Sequence, residues 1–196
     1  MTVFITQGTV ETIYPTLPGG FLKSIAIILL CIAAAVCYGI VHDQITARIC
    51  VEYFTIGHPP VFGTTDPTLL GLGWGILASW WVGLLLGVPL AFGARFGNTP
   101  KRSVSSLLRP IGILIGIMAL CAAIAGTVGF FAATFRLVYL LEPLATHVPA
   151  SRQIAFLTDL WIHSASYGVG FIGGIVVCWQ VWRSRRRTRP GEKEQD

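Results

Sequence analysis

"FLKSIAIILLCIAAAVCYGIV", residues 21–41, holds a single charged residue, Lys23, near its start. An α-helix rises about 1.5 Å per residue, so about 20 apolar residues cross the roughly 30 Å of bilayer hydrocarbon. The stretch reads as a membrane-spanning helix, and the rest of the chain is read outward from it. A secretory signal would carry a short basic leader, whereas Glu11 precedes this run, so "AAAVC" at 33–37 is not taken as a cleavage site.

Three further apolar runs cover residues 69–92, 111–135 and 158–182. The expected fold class is an all-α membrane protein, a bundle of four transmembrane helices over residues 21–182. A cytoplasmic segment, 1–20, precedes it, and a basic, disordered tail, 183–196, follows. Composition agrees: the 196 residues are 54% hydrophobic and 12% charged, against roughly 25% charged in a soluble domain. The mean hydropathy is +0.70. Too little chain is left over for a separate soluble domain.

The cysteines at 31, 37, 50, 121 and 178 form no C-x-x-C pair, and four of them lie in apolar runs. Thiols in such surroundings behave as small hydrophobes, which argues against a thiol oxidoreductase.

Cationic flanks stay on the cytoplasmic side of a membrane. Arg95, Lys101, Arg102 and Arg109 lie between the second and third runs, and the tail adds Arg183, Arg185, Arg186, Arg187, Arg189 and Lys193. The connections 42–68 and 136–152 carry Arg48, Arg136 and Arg152, balanced by Asp43, Glu52, Asp66 and Glu142. Both termini are therefore expected in the cytoplasm, with the chain in a bacterial inner membrane. The net charge of +5 is then a topology signal, and no nucleic-acid partner is expected. Arg183, Arg185, Arg186, Arg187 and Arg189 are expected to anchor on anionic lipid headgroups, with Trp161, Trp179 and Trp182 in an interfacial belt.

Helices in lipid associate through small residues. Gly83/Gly87, Gly112/Gly116 and Gly170/Gly174 each repeat at a spacing of four, which suits packing within one chain or between copies. Pro89 is expected to kink the second span.

Depth singles out the polar residues. His163 and Asp159 lie 19 and 23 residues before Trp182, about 29 and 35 Å along a helix. His42 lies 21 residues after Phe21, about 32 Å. His42, Asp43, Asp159 and His163 thus share a height near the outer boundary. Asp159, His163, Ser166, Tyr167 and Gly170 also share one helix face. They are read either as a hydrated cap that ends the helix or as a polar site turned into the bundle.

From His42 to Glu52 the even positions are polar or Cys and the odd positions from Ile45 to Tyr53 are apolar. Period-two alternation predicts a short extended or β segment, with "TFRLVYL" at 134–140 as its partner. The alternative is a continued helix that stacks Gln44, Arg48 and Glu52 at i, i+4. In the strand, Arg48 and Glu52 point to the side of His42 and pair. "GHPPVFGTTDP", 57–67, is expected to be an irregular loop.

The segment "HDQITARICVEYFTIGHP" resembles one shared by uncharacterised bacterial multi-pass integral membrane proteins, and "DLWIHSASYGVGF" at 159–171 resembles their last span. The resemblance implies a bacterial origin and a multi-pass architecture, and it carries no catalytic role.

Three functions fit. The first is an accessory or structural membrane component whose outer polar cap docks a periplasmic partner. The second is a small oligomeric transporter, or a proton- or metal-handling protein, using Asp159 and His163. The third is a metal-dependent membrane hydrolase. The candidate polar or metal cluster is His42, Asp43, Arg48, Glu52, His58, Asp159, His163 and Tyr167. Imidazole and carboxylate together suit a divalent metal such as zinc, iron or manganese.

Overall fold

A computed structural model describes residues 19–187. The N-terminal segment up to residue 18 and the tail from residue 188, including Arg189 and Lys193, lie outside the described residues. The chain forms α1 (Gly19–Ile49), α2 (Val51–Thr55), α3 (Pro67–Leu77), α4 (Trp80–Arg95), α5 (Ser105–Thr134), α6 (Leu144–His147) and α7 (Gln153–Arg187), with a 3-10 turn at Ala150–Arg152. Four segments are long and apolar enough to cross a membrane: Gly20–Ile49, Pro67–Arg95, Ser105–Thr134 and Ala150–Arg186.

The spans outrun the apolar runs that mark them. α1 continues eight residues past Val41 and α7 begins five before Thr158, because helical hydrogen bonding does not stop at polar side chains that face inward.

The extended segment expected after the first span is absent, and the described residues contain no strand. Residues 42–49 are helical, a break falls at extended Cys50, and α2 follows. Buried Asp43, Thr46, Ala47 and Cys50 repeat at i, i+3, i+4, i+7, which is helical spacing. Ile45, an odd position of the proposed strand, is 58% exposed. Residues 134–140 pair with nothing in a sheet; they leave α5 through a turn into irregular chain.

The second span is two helices. Ser79 turns its hydroxyl onto the Gly75 carbonyl, and such side-chain competition for a helical carbonyl is a common cause of a break. α4 runs through Pro89 without interruption, so the discontinuity lies ten residues before the proline. Asp66 caps α3 through Oδ1, which accepts from the Leu69 amide at 2.9 Å, with Pro67 in the first helical position.

α1 packs along α3 and α4, α5 packs along α7, and α4 also meets α7, whereas α1 and α5 barely touch. A Cβ on Gly75 would lie 2.6 Å from Ile40 Cα, and one on Gly83 2.6 Å from Ile32 Cα. Only glycine lets these backbones approach so closely.

Two cores close the ends. Tyr53, Phe54, Leu70, Trp74, Val148 and Phe156 belong to the one beneath the connecting loops. Ile27, Leu90, Leu107, Val177 and Val181 belong to the other, at the basic end.

Arg185 departs from the headgroup-anchoring expectation. It is 2% exposed and donates to the carbonyls of Gly93 (2.6 Å), Pro100 (2.8 Å), Phe96 and Thr99 (both 3.0 Å). The carbonyls at the end of α4 have no intrahelical partner, and the guanidinium satisfies them. Arg183 and Arg186 face outward, stacked over Trp179 and Trp182 at 4.9 and 3.7 Å.

Candidate functional site

α1 and α7 bring His42, Asp43 and His163 together. Asp43 lies six residues before the end of α1 and His163 ten after the start of α7, about 9 and 15 Å inside the bundle. The expected match in height therefore holds. The groups are also packed inside: Asp159 is 0%, His163 4% and Asp43 6% exposed.

His163 is held from two sides. Its Nδ1 lies 2.9 Å from the Asp159 carbonyl; a carbonyl only accepts, so Nδ1 carries the proton. Tyr53 stacks on the ring with centroids 4.4 Å apart, and the His42 ring meets its edge at 4.7 Å. Its Nε2 points at Asp43 Oδ1, 3.4 Å away.

His42 Nδ1 lies 3.4 Å from Ser166 Oγ, which shares a 2.8 Å hydrogen bond with the Tyr38 hydroxyl. His42 Nε2 and both carboxylate oxygens of Asp159 are buried without a hydrogen-bond partner among the described residues. One donor atom from each of His42, Asp43 and His163 lies within 4.8 Å of the others, so the three can hold a metal ion.

The remaining candidates divide. Tyr167 stands beside the cluster, its ring centroid 6.4 Å from that of His163. Arg48 lies outside it: Nη1 donates to Gln44 and Nη2 to Thr68 Oγ1 at 2.9 Å, tying α1 to the start of α3. Glu52 does not pair with Arg48 but accepts from Arg152 Nε at 2.9 Å. His58 donates from Nδ1 to the Tyr53 carbonyl at 2.8 Å and packs against Trp74. It supports Tyr53 from the far side and does not reach the other imidazoles.

Burial would raise the Glu52 carboxyl, but hydrogen bonds from its own amide, Arg152 and the Cys50 thiol more than offset this and hold it below its ordinary value. Burial pushes the Cys50 thiol up to about 12 and also raises the Tyr53 hydroxyl. Neither ionises near neutral pH, so Cys50 is no thiolate nucleophile.

Tyr38 and Tyr53 escape the sequence reading. Tyr38 had a signal, since it lies one helical turn before His42 on the same face. Tyr53 had none, because its position depends on the break at Cys50.

An apolar cavity begins at the cluster and runs down the bundle between α1, α4, α5 and α7, lined by Ala35, Gly83, Leu86, Met118, Gly174 and Val177 among others. A second groove, between α1 and α5, reaches His42 from the flank along Ala34, Ala119 and Ala123. No family model matches the chain, and neither does any curated protein or solved structure.

Proposed function

We propose that this chain is an integral membrane protein that binds a divalent transition-metal ion inside its bundle on His42, Asp43 and His163. The ion's remaining coordination position would face the apolar cavity. The observation that carries the reading is the 3.4 Å approach of His163 Nε2 to Asp43 Oδ1. With the ring proton committed to the Asp159 carbonyl, a neutral His163 turns a lone pair toward a carboxylate, and only a cation reconciles two facing acceptors. A bridging proton would draw such a pair to about 2.7–2.9 Å. The observed separation instead suits the edge of a tetrahedron built on bonds of roughly 2.1 Å.

The surroundings support the same reading. A metal-bound imidazole commonly donates its other N–H to a carbonyl or carboxylate, which fixes its tautomer and orientation. The partnerless Nε2 of His42 supplies the third ligand. Two imidazoles and one carboxylate leave an open position, the pattern of sites that act on a ligand rather than brace a fold. The negative charge of the partnerless Asp159 carboxylate would add to the attraction. An accessory subunit that docks a periplasmic partner is less well supported, because these groups lie inside the bundle and not on a surface that a partner would touch.

Metal analysis of protein purified without chelator, incubated with Zn²⁺ and desalted, tests this. About one ion per chain is expected, lost in both His163→Ala and Asp43→Asn while each variant still elutes as a folded species. Asp159→Asn is expected to keep the ion with weaker affinity, since it removes a charge and leaves the carbonyl. A metal-free parent, or metal retained in both ligand variants, overturns the proposal.

A further inference from the structure

The cavity below the cluster narrows what such a site would act on. Its wall follows α1 from His42 back to Cys31, eleven residues and about 16 Å. That is roughly half of the 30 Å hydrocarbon thickness, the length of one lipid chain. The wall is apolar apart from its upper end, where Tyr38, His42, Asp43, His163, Ser166 and Tyr167 gather. One end thus suits a polar head and the rest a hydrocarbon tail.

The way in is sideways. The core built around Tyr53, Trp74 and Phe156 lies over the cluster and separates it from the nearer end of the bundle. The α1–α5 groove has one wall of Ala119, Ala122, Ala123 and Gly126, and it meets the cavity at Tyr38 and His42. Ala119 and Ala123 are exposed, and both lie within a segment able to cross a membrane. What borders this opening in a bilayer is lipid.

We infer that the ligand of this site is a single-chain membrane amphiphile with a small oxygen-bearing head, of the long-chain fatty acid class. It would slide in between α1 and α5 with its head at the His–Asp cluster and its chain lying toward Val177. Two features set the head size: the cluster lies about 9–15 Å below the end of the bundle, and side chains already crowd it. A double-chain phospholipid has a second tail and a bulky headgroup that the cavity does not accommodate. The inference rests on reading the cluster as a working site, and its test is separable from that of the metal.

The probe is a palmitate analogue with a mid-chain diazirine, photolysed with the full chain in phosphatidylcholine nanodiscs, and the adducts are mapped by mass spectrometry. Adducts are expected on cavity residues such as Met118 and Leu114, removed by excess palmitate and unaffected by excess phosphatidylcholine. Ala35→Phe, which fills the cavity, and Ala119→Trp, which obstructs the groove from an exposed position, are each expected to cut cavity labelling about tenfold. Should Ala35→Phe not fold, Ala119→Trp decides. Adducts confined to outward-facing positions, or labelling unchanged in folded Ala119→Trp, overturn the inference. Metal is measured on the same samples: metal without cavity adducts sinks the lipid inference alone, and cavity adducts without metal sink the metal reading alone.

Discussion

Glu52 shows what a single residue can do when its partner is distant in sequence. Its carboxylate accepts from Arg152 at 2.9 Å, and the same guanidinium donates to the Ile49 carbonyl at 3.0 Å. One arginine therefore fastens the start of α7 to the break between α1 and α2, next to the side chains that hold His163. The hydrogen bonds to Glu52 lower its pKa below the ordinary value of 4.5. A depressed carboxyl contributes stability in full above its unfolded value and loses that contribution as pH falls through its folded one. The thermal midpoint in micelles is thus expected to drop as pH is lowered from 6 to below 4, with a smaller drop in Arg152→Gln. The pair is partly exposed, so the difference should amount to about 0.2–1 kcal/mol; identical pH profiles would show that it contributes nothing. Sequence alone offered Arg48 as the partner because it was near, and no local pattern marks a pairing across a hundred residues.

Among the elements, the three glycine pairs separate by what they touch. Gly83 and Gly87 press on α1, whereas Cβ atoms on Gly112 and Gly116 would meet nothing. Gly75→Val and Gly83→Val are expected to destabilise the bundle by about 1–3 kcal/mol or more, since backbone stands in the way. Gly116→Val is expected to leave the thermal midpoint of the single chain unchanged. Parallel melts of the three variants decide this, and a fold that tolerated Gly75→Val would refute the close α1–α3 crossing. Gly112 and Gly116 are then the pair free to meet a second copy, so a change confined to the oligomeric state of Gly116→Val would locate a homo-oligomer contact. The spacing of the glycines was legible in the sequence, but the surface each one faces was not. The error over residues 42–52 has a related cause. Hydrophobicity indexes burial in water, but where lipid surrounds a helix the exposed face is apolar too. Ile45 faces outward while Asp43 and Thr46 are buried, so a helix with polar groups inside imitates the alternation of a strand.

At the scale of the molecule, the apolar runs announce four spans. Counting residues from the ends of two of them brought His42, Asp43, Asp159 and His163 to one height before any contact was known. What the count could not reveal is which faces meet, and that is why Arg48, Glu52 and His58 entered the candidate cluster and left it. Charge divides along the same axis. Arg95, Lys101, Arg102, Arg109, Arg183 and Arg186 gather at one end with no acidic residue in 93–109 or 179–187, and Arg102 reaches Ser184 at 2.8 Å across that end. Asp66, Glu142 and the Glu52–Arg152 pair lie at the other. Cations retained on the cytoplasmic side would orient the bundle with residues 57–66 outside and 96–104 inside. A membrane-impermeant maleimide added to intact cells is accordingly expected to label Thr64→Cys and to spare Thr99→Cys until the membrane is opened, with the native cysteines replaced beforehand. The reverse pattern would turn the molecule over, and the cluster would then lie nearer the cytoplasmic leaflet. The internal geometry of the His–Asp site would be unchanged, but its lipid ligands would be drawn from the opposite leaflet.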